Sequence, residues 1–149
     1  MTHTAGSHAS DAAAVPADPV ERQAVADLLL RLAAALDEHR FADLGELFTP
    51  EACVQTPGGT ARGRPAVIDQ ARRTHSEYRR LQHRMTNVLV DVQGPEAELR
   101  ADAVARFVRA GPEPVLTVGA VYRCRAIRVD QGWRFAQVEI DPVWRVDAP

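Results

Sequence analysis

Beyond about residue 80 the chain stops repeating every three to four residues and alternates instead, almost to its end. Successive strand side chains point to opposite faces, so alternation this long demands a sheet with one face buried. Four strands are expected: Leu81 to Val92, Glu96 to Arg109, Val115 to Val129 and Trp133 to Trp144. Gly94-Pro95, Gly111-Pro112 and Asp130-Gln131-Gly132 supply the turns. The second strand sorts Leu99, Ala101, Ala103, Ala105 and Phe107 onto one face, against Glu98, Arg100, Asp102 and Arg106. The third sets Leu116, Val118, Ala120, Tyr122, Cys124 and Ala126 against Arg123 and Arg125.

Ahead of these strands the period is helical. Asp18 is placed as an N-cap, Pro19 at the first helical position and Glu21 as the acid of a capping box. Val25, Leu28, Leu29, Leu32, Ala33 and Leu36 then form one buried stripe, which carries the helix to about Glu38. Phe41 to Phe48 reads as a second, short helix, broken by Thr49-Pro50-Glu51; a short strand over Ala52 to Thr56 leads into a Pro57-Gly58-Gly59 turn. Arg64-Pro65 opens a third helix with Val67, Ile68 and Ala71 inward and Arg72, Arg73, Arg79 and Arg80 outward. Three N-terminal helices packed on a curved, mostly antiparallel sheet make an α+β fold, a cone-shaped α+β barrel with a mouth. Small inner residues such as Ala101, Ala103 and Ala120 are expected to leave room for a pocket.

Composition bounds the partners. The 149 residues suit one domain, expected over 18–149 after a disordered N-terminal tail at 1–17 that carries His3 and His8. A formal charge of −2 offers no global field for nucleic acid or anionic lipid. All 18 basic residues are arginine, which excludes lysine nucleophiles and Schiff bases. Cys53 and Cys124 match no metal-ligand spacing and read as free thiols of a reducing compartment. No leader or membrane span is legible, so a cytoplasmic protein is expected.

Several short patterns, taken in order, give the chain a family likeness. They are Leu36-Asp37 ahead of Phe41-Ala42-Asp43-Leu44-Gly45-Glu46-Leu47-Phe48-Thr49, then Gly63-Arg64-Pro65-Ala66-Val67-Ile68. His83 with Asn87, Tyr122, and Gly132-Trp133-Arg134-Phe135 complete the set. Over residues 18 to about 145 the chain resembles the nuclear transport factor 2-like superfamily, in particular its SnoaL-like branch. That group contains scytalone dehydratase, hexachlorocyclohexane dehydrochlorinase, ketosteroid isomerase, limonene epoxide hydrolase, polyketide cyclases and pure binding domains, so fold alone names no activity. The resemblance implies an Asp at the end of the first helix paired with a His on the strand after the third. Asp37 and His83 match those positions. It also implies a homodimer paired through the outer sheet face, where Arg123 and Arg125 lie.

The candidate site is built on that pair. A carboxylate in the last turn of a helix sits at the unfavourable end of the macrodipole, so Asp37 needs compensation from water, from Arg40 or from His83. Bonded to Asp37, His83 would have a fixed tautomer and a free second nitrogen to act as general base. Tyr122 is the candidate for polarising a carbonyl. Leu81, Met85, Asn87 and Phe107, with Tyr78 from the end of the third helix, complete a substrate-binding set; strand parity places Asn87 on the face of His83. Glu139 and Asp141 are acids that could reach the mouth. His39 and His75 read as helix-end residues favoured by the dipole alone.

These residues suggest a cofactor-free lyase, isomerase or cyclase acting on a small apolar carbonyl compound, polyketide-like compounds included, with no metal. One alternative is a non-catalytic binding module in which Asp37 and His83 are structural. Another is an epoxide hydrolase using Arg100 and Asp102, which parity places on the outer face.

Overall fold

Helix α1 (Pro19–Asp37) starts where Asp18 accepts a 2.8 Å hydrogen bond from the backbone N–H of Val20. The structure, a computed structural model, describes residues 18–148, and the tail expected at 1–17 lies outside them. Glu21 is not the acid of a capping box. Its carboxylate accepts from Trp133 Nε1 at 2.7 Å and pairs with Arg128, tying the start of α1 to a distant strand, a gain no local bond to the cap offers. Val25, Leu28, Leu29, Leu32 and Leu36 form the buried stripe that the spacing predicts.

The far end of α1 closes without glycine. His39 adopts a φ of 54°, its N–H donates to the Leu36 carbonyl at 3.1 Å, and that of Arg40 donates to Ala35 at 2.8 Å. This is the double backbone closure that satisfies the last carbonyls of a helix, paid for here by a left-handed histidine. Asp37 is thereby fixed as the final helical residue.

The expected second helix is a 3-10 helix over Phe41–Glu46, with Phe41 and Leu44 buried. Pro50 does not end the structure after it. Strand β1 (Phe48–Thr56) already runs there, and its register against a neighbour shifts between Phe48 and Cys53, which accommodates a residue with no N–H. The Gly58-Gly59 turn leads into a strand not read from the sequence, β2 (Gly59–Arg62), too short to show a period. Helix α2 (Arg64–His75) follows Gly63, whose φ of 85° favours glycine, and Arg64 donates to the carbonyls of Gly45 and Phe48. Two α-helices and one 3-10 helix therefore stand where three helices were expected.

Strands β3 (Arg80–Gln93), β4 (Glu96–Val108), β5 (Leu116–Val129) and β6 (Gly132–Asp147) match the four predicted ones to within a few residues. The six strands form one open, curved sheet in the order β2-β1-β6-β5-β4-β3, antiparallel except where β1 runs parallel to β6. Helix α1 lies across β3, and its leucines share one buried cluster with Leu99, Ala101, Ala103, Ala120 and Phe135. The alanines therefore admit the helix at close range and do not line the void expected beside them.

Parity holds along β4, where Leu99, Ala101, Ala103 and Ala105 are all buried. On β3 it breaks. Thr86 opposes Asp102 and Leu89 opposes Arg100, so Asn87 and Val88 together face a single residue, and Asn87 has a φ of 51°. This bulge reverses the phase, and Val88, Val90 and Val92 pack inward.

Near the end of β6, Trp144 covers Gly119 of β5. A Cβ at Gly119 would lie 2.2 Å from the indole ring. Because Trp144 is 46% exposed, it can swing away. Gly119→Ala is expected to cost about 1–2 kcal/mol and to red-shift tryptophan fluorescence, checked by urea unfolding, with the cost largely removed in a Trp144→Ala background.

Candidate active site

Three bonds converge on Asp37. Its carboxylate accepts the backbone N–H of His83 at 3.0 Å on each oxygen and His83 Nδ1–H at 2.7 Å on Oδ1. The imidazole is almost wholly enclosed, with 4% of its side chain exposed against 21% for Asp37. Since β3 is an edge strand, the His83 N–H has no neighbouring strand to bond; the carboxylate takes that place. The compensation that Asp37 needs thus comes from His83, while Arg40 pairs with Glu38 and Asp43. An ionised carboxylate only accepts, so the bond assigns the Nδ1–H tautomer in the neutral ring and leaves Nε2 as its basic atom.

Aromatic rings surround His83. Phe107 stands edge-on at 6.1 Å between centroids and also packs on Tyr78 at 4.8 Å. Leu81 and Tyr78 are buried, and Met85 is half-buried against the core. Asn87 does not belong to this group. The bulge turns it outward, and its Nδ2 donates to Asp102 at 2.8 Å on the outer face. Arg100 pairs with Asp102 at 3.2 Å on that face, both about two-fifths exposed, as parity predicts. Asp141 is likewise committed outside, to Arg123 at 2.8 Å.

The residue missed from the sequence is His75. Its ring lies 5.8 Å from that of His83 and 6.2 Å from Phe107, centroid to centroid. Burial lowers its pKa to about 4, an effect that the bond to Ala71 opposes and the neighbouring His83 reinforces. A signal was available: Val67, Ala71 and His75 are spaced by four, so His75 continues the inward stripe of α2.

A cavity of about 70 Å³ opens beside His75, between α1, α2, β1 and β6, with Leu36, Leu44, Val54, Val67 and Tyr122 among its walls. Of the predicted site residues only Tyr122 borders it. Burial raises the pKa of the Tyr122 phenol, with Cys124 and Asp37 adding to the effect, so it is a hydrogen-bond donor. A much larger open groove, about 990 Å³, runs past Arg22, Glu98, Arg100, Arg123, Arg125 and Glu139. Acids and arginines alternate there and none of the predicted site residues borders it, so the small cavity, which Tyr122 and His75 border, is the better candidate site. Cys53 and Cys124 are free; burial pushes the Cys124 thiol up to about 12. Among the described residues no three His, Cys, Asp or Glu side chains group as metal ligands, and no helix is long and apolar enough to cross a membrane.

Asp37→Ala is expected to cost about 2–3 kcal/mol in urea unfolding, because two donors of His83 lose their partner; Asp37→Asn, which keeps one acceptor, should cost less. His75 yields a pH dependence. Its folded pKa near 4 lies below the roughly 6.5 of a free imidazole, so between these values the unfolded chain binds more protons. Its contribution is complete above about pH 6.5 and is lost as the pH falls toward 4. In His75→Gln the loss of stability between pH 7 and 4 should be smaller by roughly 3 kcal/mol, read from denaturation at each pH.

The SnoaL-like domain model matches residues 20–139. Protein Rv2910c of Mycobacterium tuberculosis is 29% identical over 117 residues, covering 76% of this chain and 80% of that one. A candidate scytalone dehydratase from Novosphingobium aromaticivorans superposes with a TM-score of 0.79 at 23% identity, over 87% of this chain and 89% of its own. A type 2 LinA hexachlorocyclohexane dehydrochlorinase gives 0.78 at 20% identity, over 87% and 90%. At these identities the two structures establish a common fold. With Asp37, His75, His83 and Tyr122 all inside the matched span, the chain belongs to the SnoaL-like domain family.

Proposed function

We propose that the protein is a lyase, isomerase or cyclase that needs no cofactor and takes a proton from carbon next to the carbonyl of a small, mostly apolar compound. The observation that carries this reading is the 2.7 Å bond from His83 Nδ1 to Asp37 around an enclosed imidazole. Asp37 holds the ring and offsets the charge it gains; Nε2 accepts the proton; the Tyr122 hydroxyl donates to the enolate oxygen. The imidazolium then returns its proton to carbon or to a leaving hydroxyl. Structural neighbours that include a dehydrochlorinase and a candidate scytalone dehydratase support a small-molecule role for the fold.

A second reading, a binding module in which the pair is structural, draws on two observations. The cavity of about 70 Å³ holds roughly two waters, at about 30 Å³ each. Asp37 also bonds the backbone of β3, a function independent of catalysis. Under the catalytic reading Phe107, half-buried against His83, moves to admit substrate.

Hydrogen–deuterium exchange separates the two. Wild-type protein should accelerate exchange at the α-carbon of at least one ketone in a series from butan-2-one to 1-tetralone, followed by NMR. His83→Ala should return the rate to that of buffer, and Tyr122→Phe should lower it about 10²-fold. Ketone binding with no accelerated exchange would establish the binding-module reading instead.

A further inference from the structure

His75 carries chemistry that the Asp37–His83 pair does not supply. Its Nδ1 lies 2.8 Å from the Ala71 carbonyl and 2.8 Å from Thr74 Oγ1, while Thr74 Oγ1 is itself 2.9 Å from the Gln70 carbonyl. A carbonyl only accepts. The proton between His75 and Ala71 therefore sits on Nδ1, and the Thr74 hydroxyl donates to Gln70 while its oxygen faces the same N–H. This leaves Nε2, across the ring, with a lone pair and no hydrogen-bond partner among the described residues. His75 borders the same cavity as Tyr122.

From this arrangement we infer that His75 is a fixed hydrogen-bond acceptor for a ligand hydroxyl, so the site takes a compact hydroxy-carbonyl compound: its carbonyl oxygen meets Tyr122 and its O–H meets His75 Nε2. The assignment rests on the reading of this cavity as the place where a small molecule binds, and it narrows that molecule from any apolar ketone to one that donates. A ligand lacking the hydroxyl would leave Nε2 desolvated and unpaired, which is how a polar site rejects a deoxy analogue. The acceptor keeps its form across the neutral range because burial disfavours a second proton, and His83 from β3 and His39 after α1 add to this, against the bond to Ala71 and the charge of Asp37. In this role His75 binds and positions substrate, and His83 remains the base.

Hydroxyacetone and butan-2-one are near-isosteric, the smallest probes of this chemistry, and differ by one O–H donor. In wild-type protein, long-range 1H–15N spectra should show the His75 proton on Nδ1 at pH 7, and hydroxyacetone should shift the Nε2 resonance where butan-2-one does not. The ratio of the two affinities, measured by NMR titration, should move about tenfold toward butan-2-one in His75→Leu and stay near the wild-type ratio in His75→Gln, whose amide oxygen retains an acceptor. A proton found on Nε2, or an unchanged ratio with both ketones bound, would overturn the assignment and leave the cavity reading intact. Failure of the wild-type protein to bind either ketone would remove the cavity reading and this one with it. Spectra of the wild-type protein decide the tautomer even if His75→Leu does not fold.

Discussion

The carboxylate of Asp37 ties the end of α1 to the edge strand of the sheet. Asp37 closes α1 at the end where helix dipoles repel negative charge, and the three bonds from His83 make that position tenable. Two of them engage the backbone of an edge strand, so the same side chain caps the open side of the sheet where α1 crosses it. The third sets the imidazole. Because the left-handed turn at His39 fixes where the helix stops, the orientation of His83 is inherited from the helix terminus and needs no adjustable side chain between them.

Much of this was legible in the sequence, and the exceptions share a cause. Alternation along β4 placed Leu99, Ala101 and Ala103 inside and Arg100 and Asp102 outside, since a buried face leaves no freedom of phase. The Asp37–His83 contact spans 46 positions and rested on family resemblance, because nothing local indicates which distant group a helix-end acid will meet. Glu21 shows the same limit in reverse: its spacing from Asp18 suits a local cap, yet the Trp133 indole is its partner. Short elements were hidden for a different reason, with β2 only four residues long.

The cavity has an unequal chemistry. On one wall, burial keeps the Tyr122 phenol protonated; on another, His75 is held as an acceptor by its own helix. Leucines and valines make up half of the remainder, where such groups gain strength from the low local polarity. The alanines of β4 and β5 do not create this space. They lower the floor on which α1 rests, and the void lies to the side, toward α2 and β1.

The bulge in β3 has a simple arithmetic. Omitting Asn87 would place Thr86 and Val88 in direct succession, and every other side chain of the strand would keep the face it now has, His83 and Met85 inward before the join and Val88, Val90 and Val92 inward after it. Asn87 is therefore surplus to the pattern and, its bond to Asp102 apart, contributes shape: one supernumerary residue bends and twists the strand between its imidazole-bearing half and its valine-bearing half.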